Sequence, residues 1–293
     1  MKYFYYPGCS LDGSAREYDL STRAAMSALG GELLELDDSS CCGASAAEPV
    51  SRLLSLALPA RNLALAQKAG TKADFLVPCS ACYLNLLRAE DVMSKDRKTA
   101  DLVNRTLDVE GLSYAGGIEI RHLLDVLAND IGPEGIAAKL KRPMSGLRVA
   151  PYYGCQALRP YRVFDDPEQP RSMEPIIRAL GADVHAWSVG AKCCGAGLMT
   201  TKKDLALELV AEILDAAHGA DCIATVCPMC QMNLEISQKK LSGMKRKDLS
   251  VSVLYLPQLI GMGLGLAGKE LGLELNLALT RSLRKGFEEV FAK

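Results

Sequence analysis

The stretch Ala191-Lys192-Cys193-Cys194-Gly195-Ala196-Gly197 sets two thiols side by side with a glycine directly behind them, and Ser39-Ser40-Cys41-Cys42-Gly43-Ala44 does the same in the first half of the chain. Neighbouring cysteines pair badly with each other. An ordinary disulfide wants Cα atoms roughly 4.4–6.8 Å apart, and consecutive Cα atoms lie about 3.8 Å apart. The thiols therefore serve some other chemistry, and the repetition bears on the fold.

Working outward, the whole second half copies the first. Tyr5-Tyr6-Pro7-Gly8-Cys9 matches Tyr152-Tyr153-Gly154-Cys155, and ALGGELLEL from Ala28 matches ALGADVHAW from Ala179. The two Cys-Cys-Gly-Ala segments follow. CSACYLNL from Cys79 then matches CPMCQMNL from Cys227, and IEIRHLLDVL from Ile118 matches VSVLYLPQLI from Val251. Matches in one unbroken order predict two tandem domains, 1–145 and 146–293, joined near Pro143–Gly146. Each copy reads as strand (Lys2–Tyr6; Arg148–Tyr153), helix (Ala15–Leu29; Met173–Leu180) and strand (Glu32–Leu36; Asp183–Trp187). A Leu- and Ala-rich helix (Ser51–Lys68; Lys203–Ala217) and a further strand (Asp74–Val77; Cys222–Val226) lead into Cys-x-x-Cys, which opens another helix. The alternation predicts an α/β fold with small, mainly parallel sheets. Every cysteine motif then lies in a strand-to-helix loop, on the edge where open α/β sheets collect ligands.

Composition narrows the chemistry. The 293 residues are 49% hydrophobic with a formal net charge of −1, which lacks the basic excess of a nucleic-acid binder. The start MKYFYYPGCS has neither the apolar run nor the cleavage pattern of a signal peptide. LIGMGLGLAG from Leu259 is too short to cross a bilayer before Lys269 and Glu270, so the expectation is a soluble cytoplasmic protein. Eleven cysteines in that setting point to metal or redox chemistry instead of structural disulfides.

Ten of the eleven fall into two sets of five: Cys9, Cys41, Cys42, Cys79 and Cys82, then Cys155, Cys193, Cys194, Cys227 and Cys230. The gaps hold 31 and 36 residues in the first set and 37 and 32 in the second, a difference of about one helical turn in the later gap. Structural zinc takes four ligands and would leave one thiol idle in each copy. A dithiol–disulfide exchanger needs only one Cys-x-x-Cys. Iron–sulfur chemistry uses several irons and accommodates five thiolates, and it fits the pattern best of the three. Gly43 and Gly195 can take positive φ and turn the adjacent thiols and amides toward one centre. Cys222 stands outside both sets and reads as a small buried hydrophobe in a strand.

These residues resemble the cysteine-rich CCG domain family: a Cys, roughly three dozen residues, Cys-Cys-Gly, a similar gap, then Cys-x-x-Cys. Two such domains span essentially the whole chain, a layout similar to the B subunits of heterodisulfide reductases. The resemblance implies two noncubane [4Fe-4S] clusters facing each other across the domain interface. Cys9, Cys41, Cys42, Cys79 and Cys82 would hold the first, and Cys155, Cys193, Cys194, Cys227 and Cys230 the second. It implies reductive cleavage of a disulfide, that of coenzyme M and coenzyme B or a related one, between the clusters. It also implies partners: an iron–sulfur C subunit and a flavin-bearing A subunit that bifurcates electrons, with a hydrogenase or formate dehydrogenase upstream. The alternative within the family is an iron–sulfur electron-transfer subunit of a dehydrogenase or quinone-linked complex. A zinc-stabilised scaffold is the alternative outside it.

No flavin or nicotinamide fingerprint is present, since Gly261–Gly265 (GMGLG) reads as a helix end, so electrons would come from a partner. Lys192 and Arg159 are candidate anion contacts for a substrate. His122, His185 and His218 are scattered and read as structural. Trp187 is expected to pack beside a cysteine pair, and Lys239-Lys240 and Lys245-Arg246-Lys247 to be exposed surface.

Overall fold

The computed structural model describes residues 1–70 and 72–291. Two four-stranded parallel sheets are built from the two halves. In the first, β1 (Lys2–Tyr5), β2 (Glu32–Glu35), β3 (Asp74–Val77) and β4 (Ile120–His122) lie in the order β2-β1-β3-β4. In the second, β5 (Arg148–Tyr152), β6 (Asp183–Val184), β7 (Cys222–Thr225) and β8 (Ser252–Tyr255) repeat it as β6-β5-β7-β8. Central strands such as Asp74–Val77 are almost continuously apolar because helices cover both faces of a parallel sheet.

The helices start and stop for local reasons. Ser51 caps Arg52–Lys68, its Oγ accepting the N–H of Leu54 at 3.2 Å, and Asp96 caps Arg97–Leu107 through Lys98 and Thr99. Gly30 ends Arg16–Leu29 in the left-handed conformation. Gly261 and Gly263 lie in the last turn of Leu256–Gly263, so the glycine-rich segment is a helix end. The helix after the first cysteine differs most between the halves, fourteen residues over Arg16–Leu29 against seven over Met173–Ala179. A loop before Met173 replaces the missing turns. The Asp165 carboxylate organises it, accepting the N–H groups of Asp166, Arg171 and Ser172 and the Ser172 hydroxyl.

The strand order decides where the site forms. From β1 the chain moves outward to β2, then returns to place β3 on the other side of β1. The carboxyl edge between β1 and β3 is thus a topological switch point, where connecting loops diverge and leave a crevice. Cys9 follows β1, Cys41 and Cys42 follow β2, and Cys79 follows β3. The second sheet places Cys155, Cys193, Cys194 and Cys227 in the same way.

The two halves share buried structure. One continuous apolar core runs from Tyr3, Phe75 and Leu76 to Ile176, Leu254 and Leu259. The Tyr18 and Tyr255 rings stack at a centroid distance of 3.9 Å, one from each half. Lys141 and Arg142 donate backbone N–H groups to Gly263 O, tying the connecting segment to the second half.

Candidate functional site: two cysteine sets on one seam

The thiols of each set gather at the carboxyl edge of their sheet. In the first set the sulfurs of Cys9 and Cys41 lie 3.7 Å apart, and those of Cys42 and Cys82 lie 3.3 Å apart. In the second, the sulfurs of Cys194 and Cys230 lie 3.5 Å apart, and Cys155 donates to Cys193. Cys9, Cys41 and Cys193 are exposed, Cys155 is half-buried, and the remaining six are buried. Among the described residues no group of three or more His, Cys, Asp or Glu side chains is arranged to hold a single metal ion. The sulfurs meet in short chains, Cys82 touching both Cys42 and Cys79 and Cys230 touching both Cys194 and Cys227.

Backbone and side-chain donors surround the paired cysteines. The N–H groups of Gly43 and Ala44 approach the sulfurs of Cys41 and Cys42 at 3.4 Å each, and the N–H of Gly195 approaches Cys193 at 3.3 Å. Gly43 and Gly195 do turn through positive φ, at +79° and +72°. Two further glycines carry a constraint that the sequence did not reveal. Gly8 and Gly154 precede the first cysteine of each set at φ +68° and +69°. A Cβ on Gly8 would come within 2.8 Å of Cys82 Sγ, and one on Gly154 within 3.0 Å of Cys230 Sγ.

Other residues are also used twice. The Tyr6 hydroxyl donates to Ser40 O at 2.6 Å, and the Tyr152 hydroxyl to Lys192 O at 2.7 Å, each gripping the residue just before a cysteine pair. This corrects the sequence alignment, which matched Tyr152 to Tyr5. Tyr6-Pro7-Gly8-Cys9 and Tyr152-Tyr153-Gly154-Cys155 align residue for residue, and the tyrosine that reaches the loop is the third residue before the cysteine. Asn85 and Asn233, three residues beyond Cys82 and Cys230, donate to Cys42 O at 3.4 Å and Cys194 O at 2.7 Å. Their signal was the shared Asn-Leu in the two Cys-x-x-Cys segments.

The thiols perturb one another. A hydrogen bond from Cys82 lowers Cys42 to about 7 against the cost of its burial, with help from the Ala44 N–H and the Asn85 amide. Cys82 is pushed up because its proton is held between Cys42 and Cys79. In the second half, the hydrogen bond from Cys155 lowers Cys193 to about 6, aided by the Gly195 N–H and the positive charge of Arg159. Cys155 and Cys230 are pushed up by the bonds they donate to Cys193 and Cys194. Cys9 is pushed up to about 11, chiefly by burial and then by its bond to Cys41. Thiols crowded in this way keep several of their protons until cationic centres displace them, and iron–sulfur groups supply such centres. The donor set fits such a group.

Both sets approach the seam between the halves. The Tyr18 hydroxyl lies 3.1 Å from Pro78 O and 3.1 Å from Val226 O, the residues immediately before the two Cys-x-x-Cys segments. A cavity of about 150 Å³ is lined by all five second-set cysteines together with Ser80 and Ala81, which lie inside the first half's Cys79-x-x-Cys82. Neither candidate anion contact, Arg159 or Lys192, lines this cavity. Arg159 donates to Pro167 O, Ala191 O and the Glu168 carboxylate, fastening the inserted loop beside the second cysteine pair. Lys192 pairs with Glu212 on the surface. Cys222 is buried inside β7, away from both sets, with its thiol pushed up by burial. Trp187 packs edge-on to Tyr152 and donates its Nε1–H to Pro151 O at 3.0 Å.

The cysteine-rich domain model matches residues 3–87 and 149–235, together more than half of the chain. The chain belongs to the CCG cysteine-rich domain family. It is 38% identical over 94% of its length to the 8-methylmenaquinol:fumarate reductase membrane anchor subunit of Wolinella succinogenes, covering 96% of that protein. It is 30% identical over 92% of its length to the B subunit of the ferredoxin:CoB-CoM heterodisulfide reductase of Methanosarcina mazei, covering 91% of it. A hypothetical protein from Helicobacter pylori has the same fold, with a TM-score of 0.76 at 19% identity, and this chain spans 52% of that one. As a CCG protein, the chain has heterodisulfide reductase B subunits as homologues across nearly its whole length. Among the described residues no helix is long and apolar enough to cross a membrane.

Proposed function

We propose that this chain is the iron–sulfur redox subunit of a multisubunit oxidoreductase and relays electrons to or from a quinone. The observation that carries the redox reading is the convergence of two complete five-cysteine sets on one seam, bridged by the Tyr18 hydroxyl. Cys9, Cys41, Cys42, Cys79 and Cys82 would hold one [4Fe-4S] group, and Cys155, Cys193, Cys194, Cys227 and Cys230 a second. When bound, such groups supply one-electron redox chemistry. The chain's own residues shape their surroundings. Gly8 and Gly154 leave room for Cys82 and Cys230. The amides of Gly43, Ala44 and Gly195 stabilise thiolate charge, and the Tyr6 and Tyr152 hydroxyls fix the loops that present the cysteine pairs.

Two observations favour the quinone-linked use over disulfide cleavage. Identity to the fumarate reductase subunit is 38%, against 30% for the heterodisulfide reductase subunit. Among the described residues lining the cavity none is Lys or Arg, so it offers no charged partner to a disulfide bearing sulfonate, carboxylate or phosphate groups. Disulfide reduction remains the second reading, supported by the paired sites and by the retention of every cysteine in both sets.

Protein purified without oxygen should contain about eight irons per chain with equal acid-labile sulfide. A single-turnover experiment then separates the readings. Pre-reduced protein is mixed in one arm with a soluble menaquinone analogue and in the other with the coenzyme M–coenzyme B disulfide. Rapid reoxidation by the quinone without thiol release from the disulfide is expected. Stoichiometric release of two thiols would transfer the assignment to disulfide reduction, and zinc in place of iron would end both.

A further inference from the structure

One side chain of the first half borders the second half's cysteine cavity with a hydrogen to give. Ser80 is buried, and its Oγ lies 3.2 Å from His122 Nε2 and 3.2 Å from Val226 O. The proton positions follow from the partners. His122 Nδ1 accepts the N–H of Leu124 at 3.2 Å, which leaves the ring proton on Nε2. Nε2–H then lies between Ser80 Oγ and the Pro78 carbonyl, and the serine's own proton is directed to Val226 O. The Tyr83 and Phe164 rings pack against the imidazole, and burial keeps it neutral by lowering it to about 3. A defined sequence of donors therefore runs from β4 of the first half, through Ser80, to the peptide group that joins Val226 to Cys227.

The duplication supplies an internal control. At the positions of Ser80 and His122 the second half has Pro228 and Tyr255, each following or ending the equivalent strand. The second sheet and its Cys-x-x-Cys helix form without a Ser–His pair. The fold therefore does not require the pair, and the first half carries it where it reaches the other half's site.

We propose that Ser80, oriented by His122, is a positioning residue that makes the second cysteine site electrostatically unlike the first. The inference rests on the iron–sulfur reading above. A hydroxyl donating to Val226 O polarises the Val226–Cys227 peptide and strengthens its N–H as a donor near the Cys227 thiolate. Donors near cluster sulfurs favour the more negative, reduced form and so raise the potential of the group held there. Among the described residues Pro78 O meets the shared Tyr18 hydroxyl and a His122 N–H that is divided with Ser80, while Val226 O meets Tyr18 and the undivided Ser80 hydroxyl, so the two sites differ in potential and electrons are drawn toward the one held by Cys227.

The test is a redox titration of anaerobically purified full-length protein, followed by EPR, on the wild type, Ser80→Ala, Ser80→Thr and His122→Phe. Ser80→Ala is expected to shift one of the two iron–sulfur signals to more negative potential and leave the other in place. Ser80→Thr keeps the hydroxyl and the wild-type values. His122→Phe, which frees that hydroxyl to turn away and also removes an N–H from Pro78 O, shifts both signals by unequal amounts. Full iron content with neither signal moved, or with both moved equally, overturns the proposal. Should Ser80→Ala fail to load iron, the comparison of His122→Phe with Ser80→Thr decides it on the same criterion. Wild-type protein without iron would instead defeat the iron–sulfur reading.

Discussion

At Gly8 the backbone runs at φ +68°, and the space a Cβ would occupy is taken by the sulfur of Cys82. A side chain there meets two penalties: roughly 1–2 kcal/mol for the left-handed conformation, and displacement of a thiol that has no room to retreat. Gly8→Ala is expected to lower iron content to roughly half of wild type by emptying one site while sparing the other, as read by an iron assay on purified protein. Gly154→Ala should act in the same direction more mildly, since its contact is 3.0 Å. All ten motif cysteines were legible as sequence because their spacing repeats. Gly8 and Gly154 stood in the same quoted segments, but their reason was invisible there: the atom they make room for lies over seventy residues away in both cases. Arg159 shows the converse. Its charge and its nearness to Cys155 suggested an anion contact, and the loop it fastens appears only in the fold.

Elements were the most legible scale. Strand and helix positions follow from apolar runs, caps and glycine stops, each a local matter. The Arg52–Lys68 helix continues through Pro59, and its N-terminus depends on a single side-chain cap, Ser51 on Leu54. Ser51→Ala is expected to cost about 1 kcal/mol of stability, measured as a lower urea midpoint with unchanged slope. That helix also carries Asn62, whose side chain accepts the Ser40 N–H at 2.8 Å and donates to Ser40 O at 3.0 Å, so fraying at its start should reach the Cys41–Cys42 loop only weakly. Sequence reading overextended the strand at Asp183–Trp187, where pairing covers only Asp183 and Val184. Beyond them Trp187 is drawn down to Pro151 O, which ends the ladder by a tertiary contact.

Across the whole molecule the seam between the halves is the informative feature. Tyr18 places one hydroxyl between two carbonyls, and a phenol has a single proton to share. Tyr18→Phe keeps the stack on Tyr255 and should cost about 1 kcal/mol, with the altered EPR line shape of both iron–sulfur signals separating it from a simple loss of stability. The seam also buries two carboxylates, Glu17 and Glu235. Burial raises Glu235 from 4.5 to about 7, the charge of Glu17 adds to the rise, and the N–H groups of Leu277 and Ala278 oppose it. The folded chain therefore holds a proton that the unfolded chain releases above pH 4.5, so stability declines as pH rises from 4.5 to about 7. Glu235→Gln should remove that decline and leave the variant the more stable of the two above pH 7, as measured by thermal unfolding across pH.

Sequence alone determined what could be encoded locally or by repetition: the α/β alternation, the duplication, and the two sets of five thiols whose fixed order no packing requirement explains. Tertiary structure decided the rest. Which tyrosine grips each cysteine loop and how Ser80 reaches the other half's Cys227 depend on contacts between segments 30 to 150 residues apart, such as Tyr6 with Ser40 and Ser80 with Val226. Period and composition describe a residue's neighbours along the chain. The strand order, turning back at β1 and β3, is what brought these distant segments to one edge.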